Sequence, residues 1–223
     1  MTNLLQYYQA ALKKLGPQHW WPGETPFEVC VGAILTQNTH WKNVEKAIAN
    51  LKVRNLLDPH RLYQLPPAEL AQLIRPAGYF NIKTNRLRNF LKFLLDGYDG
   101  DLEKMFSERL ENLREKILSV KGIGPETADS ILLYAGSKPV FVVDAYTKRI
   151  LVRHQAIWEE AGYEEIQSHF TDHLPHDVPL FNEFHALIVN IGKNWCKTRN
   201  PDCEQCPWKE YLPTSGPYLP SFP

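Results

Sequence analysis

Apolar residues recur every three or four positions along most of the chain, a spacing that gathers them on one face of an α-helix. One strand-like run, 139–143, stands alone. Because a lone strand cannot form a sheet, we interpret this run as a buried connector. The segments with helical spacing are Leu4 to Leu15, Pro26 to Leu35, Trp41 to Leu51, Pro67 to Leu73, Ile82 to Leu95, Arg109 to Leu118, Thr127 to Ala135, Ala145 to His154, Ile166 to Leu174 and Leu180 to Ile191.

Capping and stop residues support this helical pattern. Thr25-Pro26, Pro66-Pro67 and Asp144 have the residue types that begin helices. Gly97 and Gly136 are typical of positions where helices end. The sequence therefore predicts an all-α protein.

Composition and charge narrow the classes of function. Of the 223 residues, 43% are hydrophobic and 12% aromatic, which is typical of a globular protein. The formal net charge is zero, so any nucleic-acid binding must come from local groups, such as the basic residues between Lys83 and Lys121. The apolar stretches are too short to span a bilayer and the N-terminus has no basic leader, so we expect a cytoplasmic protein without membrane contact.

The segment 118–128 places two glycines, Gly122 and Gly124, in a tight turn between two helices. Glycines allow positive φ and leave backbone N–H groups uncovered, and a helix N-terminus follows directly. Such a turn can hold a phosphate without a net positive charge. Taken alone, a turn of this kind is more often a packing or capping feature.

Asp144 follows at the start of the next helix, where aspartate is also a common N-cap. This combination of hairpin and acid resembles the endonuclease III family of the helix-hairpin-helix superfamily. The segments 35–39 (Leu-Thr-Gln-Asn-Thr) and 78–81 (Gly-Tyr-Phe-Asn) are similar to loops of the same family. The resemblance extends from about Phe27 to Cys206.

The resemblance implies a two-lobed helix-hairpin-helix glycosylase architecture with a DNA cleft between the lobes. One lobe would comprise residues 27–135, with the hairpin at 119–127. The other would join residues 1–26 to 136–223 and include a cysteine loop at 196–212.

The resemblance also implies roles for individual residues. Asp144 would be the catalytic carboxylate, since a carboxylate can stabilise the oxocarbenium-like sugar left when a base departs. Gln37 and Tyr79 would fill the gap left by a flipped nucleotide. The DNA backbone would be bound by Lys121, Gly122 and Gly124.

One departure from the family concerns strand cleavage. Bifunctional members carry a Schiff-base lysine two residues beyond the second hairpin glycine, where this chain has Glu126. A carboxylate cannot form that imine, so the sequence predicts a monofunctional enzyme. Lys121, one residue before the first hairpin glycine, could be mistaken for this lysine, but we interpret its side chain as a phosphate or solvent contact.

Aromatic residues predict the substrate class. We call the segment 35–39, which contains Gln37, the glutamine loop. Two features resemble the 3-methyladenine DNA glycosylase branch: the run Trp20-Trp21-Pro22, and Trp41 beside His40 after the glutamine loop. Trp20, Trp21, His40 and Trp41 would form a base pocket, where aromatic faces attract a cationic alkylated purine by about 1–2 kcal/mol per ring. A core position remains open for each tryptophan.

Three cysteines are spaced C-x6-C-x2-C at Cys196, Cys203 and Cys206. They resemble the first three ligands of the family's iron-sulfur loop, but Leu212 occupies the fourth position. We expect a 4Fe-4S cluster on three cysteines, its fourth iron bound by water, Asp202, Glu210 or another group. A 3Fe-4S cluster, a zinc site and loss of the cofactor remain alternatives. Cys30 lies in an apolar run and suits a buried position.

The sequence thus predicts a monofunctional DNA glycosylase that excises alkylated purines in base excision repair. Its partner would be damaged double-stranded DNA, bound as a monomer at the nucleoid in the cytoplasm. One alternative is an adenine-specific mismatch glycosylase, which the lack of a further recognition domain weakens. Another is a noncatalytic helix-hairpin-helix DNA-binding protein, against which Asp144 argues.

Overall fold

A computed structural model describes residues 3–20 and 23–219. None of these residues belongs to a β-strand, so the all-α prediction is confirmed, and 139–143 is a mostly buried connector. The α-helices in the described ranges are α1 (Leu4–Leu15), α2 (Pro26–Leu35), α3 (Trp41–Val53), α4 (Pro59–Gln64), α5 (Pro67–Leu73), α6 (Phe80–Tyr98), α7 (Leu102–Phe106), α8 (Leu110–Leu118), α9 (Pro125–Ser130), α10 (Ala145–Arg153), α11 (Tyr163–Thr171) and α12 (Val178–Asn194).

Short polar side chains begin many of these helices. Each accepts a hydrogen bond from a backbone N–H of the first turn, which would otherwise have no partner within the helix. The side chains that cap helices in this way include Asn3, Thr25, Asp58, Asp101, Asp144 and Asp177.

Contacts between Cα atoms divide the chain into two compact units. The middle unit is Trp21–Lys138, and the terminal unit combines Met1–Trp20 with Pro139–Pro223. In the middle unit, α2 is buried on nearly all sides and packs against α3, α6 and α9. Leu87, Phe90 and Leu91 form the apolar face of α6. Burial of these faces is the main stabilising term for the unit.

The terminal unit has an aromatic core. Phe141 stacks on Phe170 with 3.7 Å between ring centroids, and Phe184 packs edge-on against both rings. Trp208, which belongs to the C-terminal segment, is buried in this core and donates from Nε1 to the Tyr7 carbonyl at 2.8 Å. Trp208 also packs edge-on against Phe184, so the C-terminal segment is attached to both α1 and α12.

The structure differs from the sequence predictions in several local details. Gly97 does not end a helix, since α6 continues through it to Tyr98. Helices α4 and α7 lie where no helix was predicted, because they are too short to show an apolar period. The helix that follows the hairpin becomes a π-helical turn at Ile131–Ala135. No helix among the described residues is long and apolar enough to cross a bilayer.

Candidate functional site

The hairpin joins α8 to α9 in the middle unit. Gly122 has φ of 97°, a conformation that favours glycine, and a Cβ there would overlap the Arg86 side chain. Gly124 has φ of −99° and open space beside its Cα, so of the two glycines only Gly122 uses the positive φ that glycine allows. Both glycines are exposed, and no acceptor among the described residues binds their N–H groups.

A buried ion pair connects the two hairpin helices. Arg114 of α8 donates from Nε and Nη2 to the two carboxylate oxygens of Asp129 of α9, at 2.7 and 3.1 Å. The Asp129 side chain is fully buried. Because an unpaired charge is costly at such a position, this two-bond contact favours a single arrangement of the helices.

Gln37 contacts the inner side of the hairpin. Its Nε2 donates to the carbonyl of Gly122 at 3.2 Å and to the hydroxyl of Thr127 at 2.9 Å. Its Oε1 accepts from Nη1 of Arg86. The glutamine loop and the hairpin are therefore held together by the amide of one side chain.

The polar face of α6 supports both loops. Lys83 is 1% exposed and donates from Nζ to the carbonyls of Leu35 and Ala77, each at 2.8 Å. Burial, together with a smaller effect of the neighbouring charge of Arg86, lowers the pKa of Lys83 to about 8. Arg86, one turn further along α6, donates to Gln37. Asn89, two turns further along, donates to the Lys121 carbonyl at 2.9 Å.

Tyr79 lies in a strained and exposed turn before α6. Its φ is 46° and that of Gly78 is 70°, and the Tyr79 side chain is 67% exposed. A left-handed conformation is unfavourable for an aromatic residue, and it is found mostly where the surrounding structure or a function requires it. The turn presents a large ring to solvent.

Asp144 caps α10 in the terminal unit. Its Oδ1 accepts from the N–H of Thr147 at 2.7 Å and from the Thr147 hydroxyl at 2.8 Å. Its Oδ2 lies 3.6 Å from Nε2 of His185 on α12, an ion-pair distance longer than a direct hydrogen bond. Burial raises the pKa of Asp144, but the attraction of His185 and the bonds from Thr147 outweigh it, so the pKa lies below its usual range.

Aromatic rings surround His185. Trp20 stacks on the imidazole with 5.3 Å between centroids and 21° between planes, and Phe141 packs edge-on at 6.4 Å. His185 is 4% exposed, whereas Trp20 is half-buried. The terminal unit thus brings together a carboxylate, an imidazole and an indole.

Comparison with known proteins gives the family. A model described as "HhH-GPD superfamily base excision DNA repair protein" matches residues 31–176. The chain belongs to this superfamily. The resemblance predicted from the sequence is confirmed, and the chain is a DNA glycosylase of base excision repair.

Individual relatives agree with the family. A candidate DNA repair glycosylase of Methanocaldococcus jannaschii is 47% identical over 210 residues, which cover 93% of this chain and 94% of the relative. Endonuclease III of Thermotoga maritima is 29% identical, covering 81% of this chain and 79% of that protein. The crystal structure of H. pylori 3-methyladenine DNA glycosylase (MagIII), bound to 1,N6-ethenoadenine, is similar with a TM-score of 0.73 and 31% identity. That comparison covers 85% of this chain and 95% of the other.

The other predicted pocket residues belong to the middle unit or lie outside the described ranges. His40 is exposed at the N-cap position of α3. Trp41 is half-buried, and a Cβ added at Gly32 would lie 3.2 Å from its six-membered ring. Trp21 lies outside the described residues.

The hairpin also carries the residue that stands in place of the family's lysine. Glu126 is exposed in the first turn of α9, and Lys121 is exposed at the start of the turn. The Lys121 carbonyl is bound by Asn89, and its side chain is at the solvent surface.

The three C-terminal cysteines line one cavity together with Asp202, Trp195 and Leu212. Arg153 donates from Nη1 to Sγ of Cys196 at 3.2 Å and to the Lys197 carbonyl at 2.6 Å. Burial raises the pKa of the Cys206 thiol to about 11 and that of Cys203 above its usual value. Ligation would therefore have to displace thiol protons.

The cavity offers three thiols as candidate metal ligands. In the described part of the chain, no three His, Cys, Asp or Glu side chains are placed to hold one metal ion. Thiols spread around a shared cavity suit a cluster, whose ligands bind different irons. Leu212 supplies no donor atom. Of the other candidates for the fourth iron, Asp202 lines this cavity, whereas Glu210 lines a separate groove.

Two residues of these sites were missed by sequence reasoning. His185 lies in the apolar run of α12, where a lone histidine is typical of a satisfied core residue. Lys83 was considered only as part of a basic segment. Its spacing with Arg86 and Asn89 along α6 was the available signal, since positions three apart share a helix face.

Proposed function

We propose that this chain is a monofunctional DNA glycosylase that excises alkylated purines of the 3-methyladenine type, acting as a monomer on double-stranded DNA. The observation that carries the proposal is Asp144, a largely shielded carboxylate whose pKa is lowered and which stands beside an aromatic stack. The 31% identity to a 3-methyladenine glycosylase of known structure supports the substrate class.

The proposed chemistry uses Asp144 as a preorganised negative charge. Thr147 donates two hydrogen bonds to Oδ1. Oδ2 is therefore the oxygen that can interact with the substrate. As the C1′–N bond breaks, the sugar gains positive charge, and an ionised carboxylate stabilises that charge without further reorganisation. Asp144 would also orient the water that attacks C1′.

The proposed base pocket uses Trp20, Trp21, His40 and Trp41. An alkylated purine such as 3-methyladenine is a cation and a good leaving group, so aromatic faces can select it by about 1–2 kcal/mol per ring. The half-buried state of Trp20 and Trp41 supports this role, because neither residue belongs to the fully buried core. Replacing Trp41 by Leu should reduce release of the cationic base more than release of a neutral one.

DNA binding is assigned to the hairpin and to the turn before α6. The exposed N–H groups of Gly122 and Gly124, with Lys121, would bind a phosphate. Tyr79 suits the gap left by a flipped nucleotide, because its ring is already exposed. Gln37 would have to leave its bonds to the hairpin to enter the same gap.

The experiment that tests the function is base release from duplex DNA carrying 3-methyladenine, 1,N6-ethenoadenine or a mismatched adenine. We expect release of 3-methyladenine at the highest rate. Preferential release of the mismatched adenine would favour a mismatch glycosylase. Tight DNA binding with no release from any duplex would leave a noncatalytic binding protein.

The absence of lyase activity rests on Glu126 and has its own test. Borohydride added during turnover should trap no covalent protein–DNA adduct, because no lysine stands at the position that forms the imine. A lysine-bearing endonuclease III provides the positive control. A trapped adduct with this chain would contradict the monofunctional assignment.

We further infer that Cys196, Cys203 and Cys206 hold an iron-sulfur cluster. Anaerobically purified protein should absorb near 400 nm and contain iron, as expected of thiolate-bound clusters. Replacing Cys203 by Ser should lower the iron content, whereas replacing Cys30, which is buried in α2, should not. Stoichiometric zinc would indicate a zinc site in place of the cluster. Protein without any metal would contradict the assignment.

A further inference from the structure

The two oxygens of the Asp144 carboxylate have different surroundings. Oδ1 is bound by the N–H and the hydroxyl of Thr147, as in an ordinary capping box. Oδ2 faces His185 from α12. The cap therefore explains one oxygen, and a purely structural role for Asp144 would not require an imidazole at the other.

The imidazole is held in place by its own packing. Trp20 covers one face of His185, and Phe141 meets it edge-on. Both members of the ion pair are largely shielded, with side-chain exposures of 5% for His185 and 12% for Asp144. In such surroundings, the interaction between a carboxylate and an imidazole is screened far less than it would be at the surface.

We propose that His185 is a positioning residue for base release: its imidazole orients Oδ2 of Asp144 toward the reacting sugar and stabilises the negative charge of the carboxylate. The proposal rests on the proposed glycosylase function. At 3.6 Å, the carboxylate is attracted by His185 without being bound as closely as it is by Thr147. Oδ2 therefore remains able to meet a developing sugar cation or a water molecule.

Other titratable groups on the surrounding elements have different partners. The Tyr163 hydroxyl of α11 accepts from the N–H of Val143 at 3.3 Å, and Glu183 of α12 accepts from the N–H of Gln18 at 2.6 Å. The guanidinium of Arg149 on α10 binds the carbonyls of Cys196 and Gly192. We therefore assign the main electrostatic effect on Asp144 to His185.

The test compares His185→Phe, which keeps a ring between Trp20 and Phe141, with His185→Gln, which keeps a hydrogen-bond donor. His173→Phe makes the same chemical change at an exposed position and is the control. The Asp144 carboxyl signal, assigned by its loss in Asp144→Asn, is titrated by carbon-13 NMR. We expect its pKa to rise in His185→Phe, because an attracting group 3.6 Å from Oδ2 is lost. It should rise less in His185→Gln and not at all in His173→Phe.

Single-turnover base release against pH is the second readout. The acid limb should move to higher pH in His185→Phe by the same amount as the carboxyl pKa, with DNA affinity unchanged. A structural role alone would lower release equally at every pH.

If wild type releases base and its acid limb coincides with that of His185→Phe, or if the carboxyl pKa does not move, the inference is overturned. If wild type releases no base from any substrate, the proposed function itself fails. Should His185→Phe not fold, His185→Gln decides by the same two measurements.

Discussion

At the residue scale, the chain combines ordinary structural roles with proposed chemical ones in the same side chains. Asp144 is an N-cap like Asp177, yet only Asp144 has its second oxygen facing a buried histidine. Lys83 is a buried cation whose Nζ has two carbonyls as partners. In both cases the residue type is common, and the distinguishing feature is what lies around the charged atom.

Asp144→Asn should lower base release by about 10²-fold or more, the scale expected when a preorganised charge is lost at a transition state. Folding should change little, because Asn is also a good N-cap. Asp177→Asn is the matched control, since it alters an N-cap of the same type on an exposed part of α12. Full activity in Asp144→Asn would show that another group performs the chemistry, and equal losses in both variants would indicate a capping effect.

Lys83 should give stability a specific pH dependence. Its folded pKa, about 8, lies below its ordinary value of 10.5, so the unfolded chain binds more protons between these pH values. The free energy of unfolding contributed by Lys83 should therefore rise with pH across the window from 8 to 10.5. Denaturant unfolding of wild type and Lys83→Met over this range measures the difference. The rise should persist in Lys92→Met, which removes an exposed lysine of the same helix. An identical pH profile in Lys83→Met and wild type would contradict the assignment.

At the element scale, α6 organises the middle unit's candidate DNA-binding loops. Its first residue follows the Tyr79 turn, and successive turns carry Lys83, Arg86 and Asn89. These side chains bind the end of α2, the glutamine loop and the hairpin. A helix is stiff over this length, so the loops are held in a common frame before any ligand arrives.

The hairpin glycines should differ sharply in their tolerance of a side chain. Gly122→Ala adds a Cβ at positive φ that collides with Arg86, and the backbone term alone costs about 1–2 kcal/mol. Gly124→Ala meets open space at an extended φ. We expect a lower melting temperature and weaker DNA binding for Gly122→Ala, with a melting temperature near wild type for Gly124→Ala. Equal melting temperatures for the two variants would contradict this account of the turn.

At the scale of the whole molecule, a net charge of zero limits long-range attraction to DNA. Binding must then depend on a few well-placed groups. The exposed N–H groups of the hairpin are suited to this, because they can bind a phosphate without a positively charged side chain. Affinity should therefore fall with salt less steeply than for a strongly basic protein.

The salt dependence of DNA affinity tests this expectation. Each DNA phosphate that a cationic side chain neutralises contributes about 0.9 to the steepness of log K against log salt, because a condensed cation is released. Lys121→Gln should reduce the slope by about 1 if Lys121 contacts a phosphate. Lys92→Gln, on an exposed face and paired with Asp96, should leave the slope unchanged. A Lys121→Gln slope equal to that of wild type would remove Lys121 from the DNA contact.

Sequence by itself determined the elements whose causes are local. Apolar periodicity, N-caps such as Thr25 and Asp144, and the glycine turn all act within a few residues, so the all-α class and most helices could be predicted. The family resemblance could also be predicted, because its motifs are short stretches of sequence. Which hairpin glycine has positive φ was seen only in the structure. The short helices α4 and α7 could not be predicted, since a helix of one or two turns shows no reliable period.

Only the tertiary structure decided which distant groups meet. Gln37 reaches Thr127 across 90 positions, Lys83 reaches the Leu35 carbonyl across 48, and His185 faces Asp144 from another helix. No sequence pattern specifies such pairs, because they depend on how packed helices are placed against one another. The charge state of Asp144 follows from the same cause, since burial, His185 and Thr147 set its pKa together.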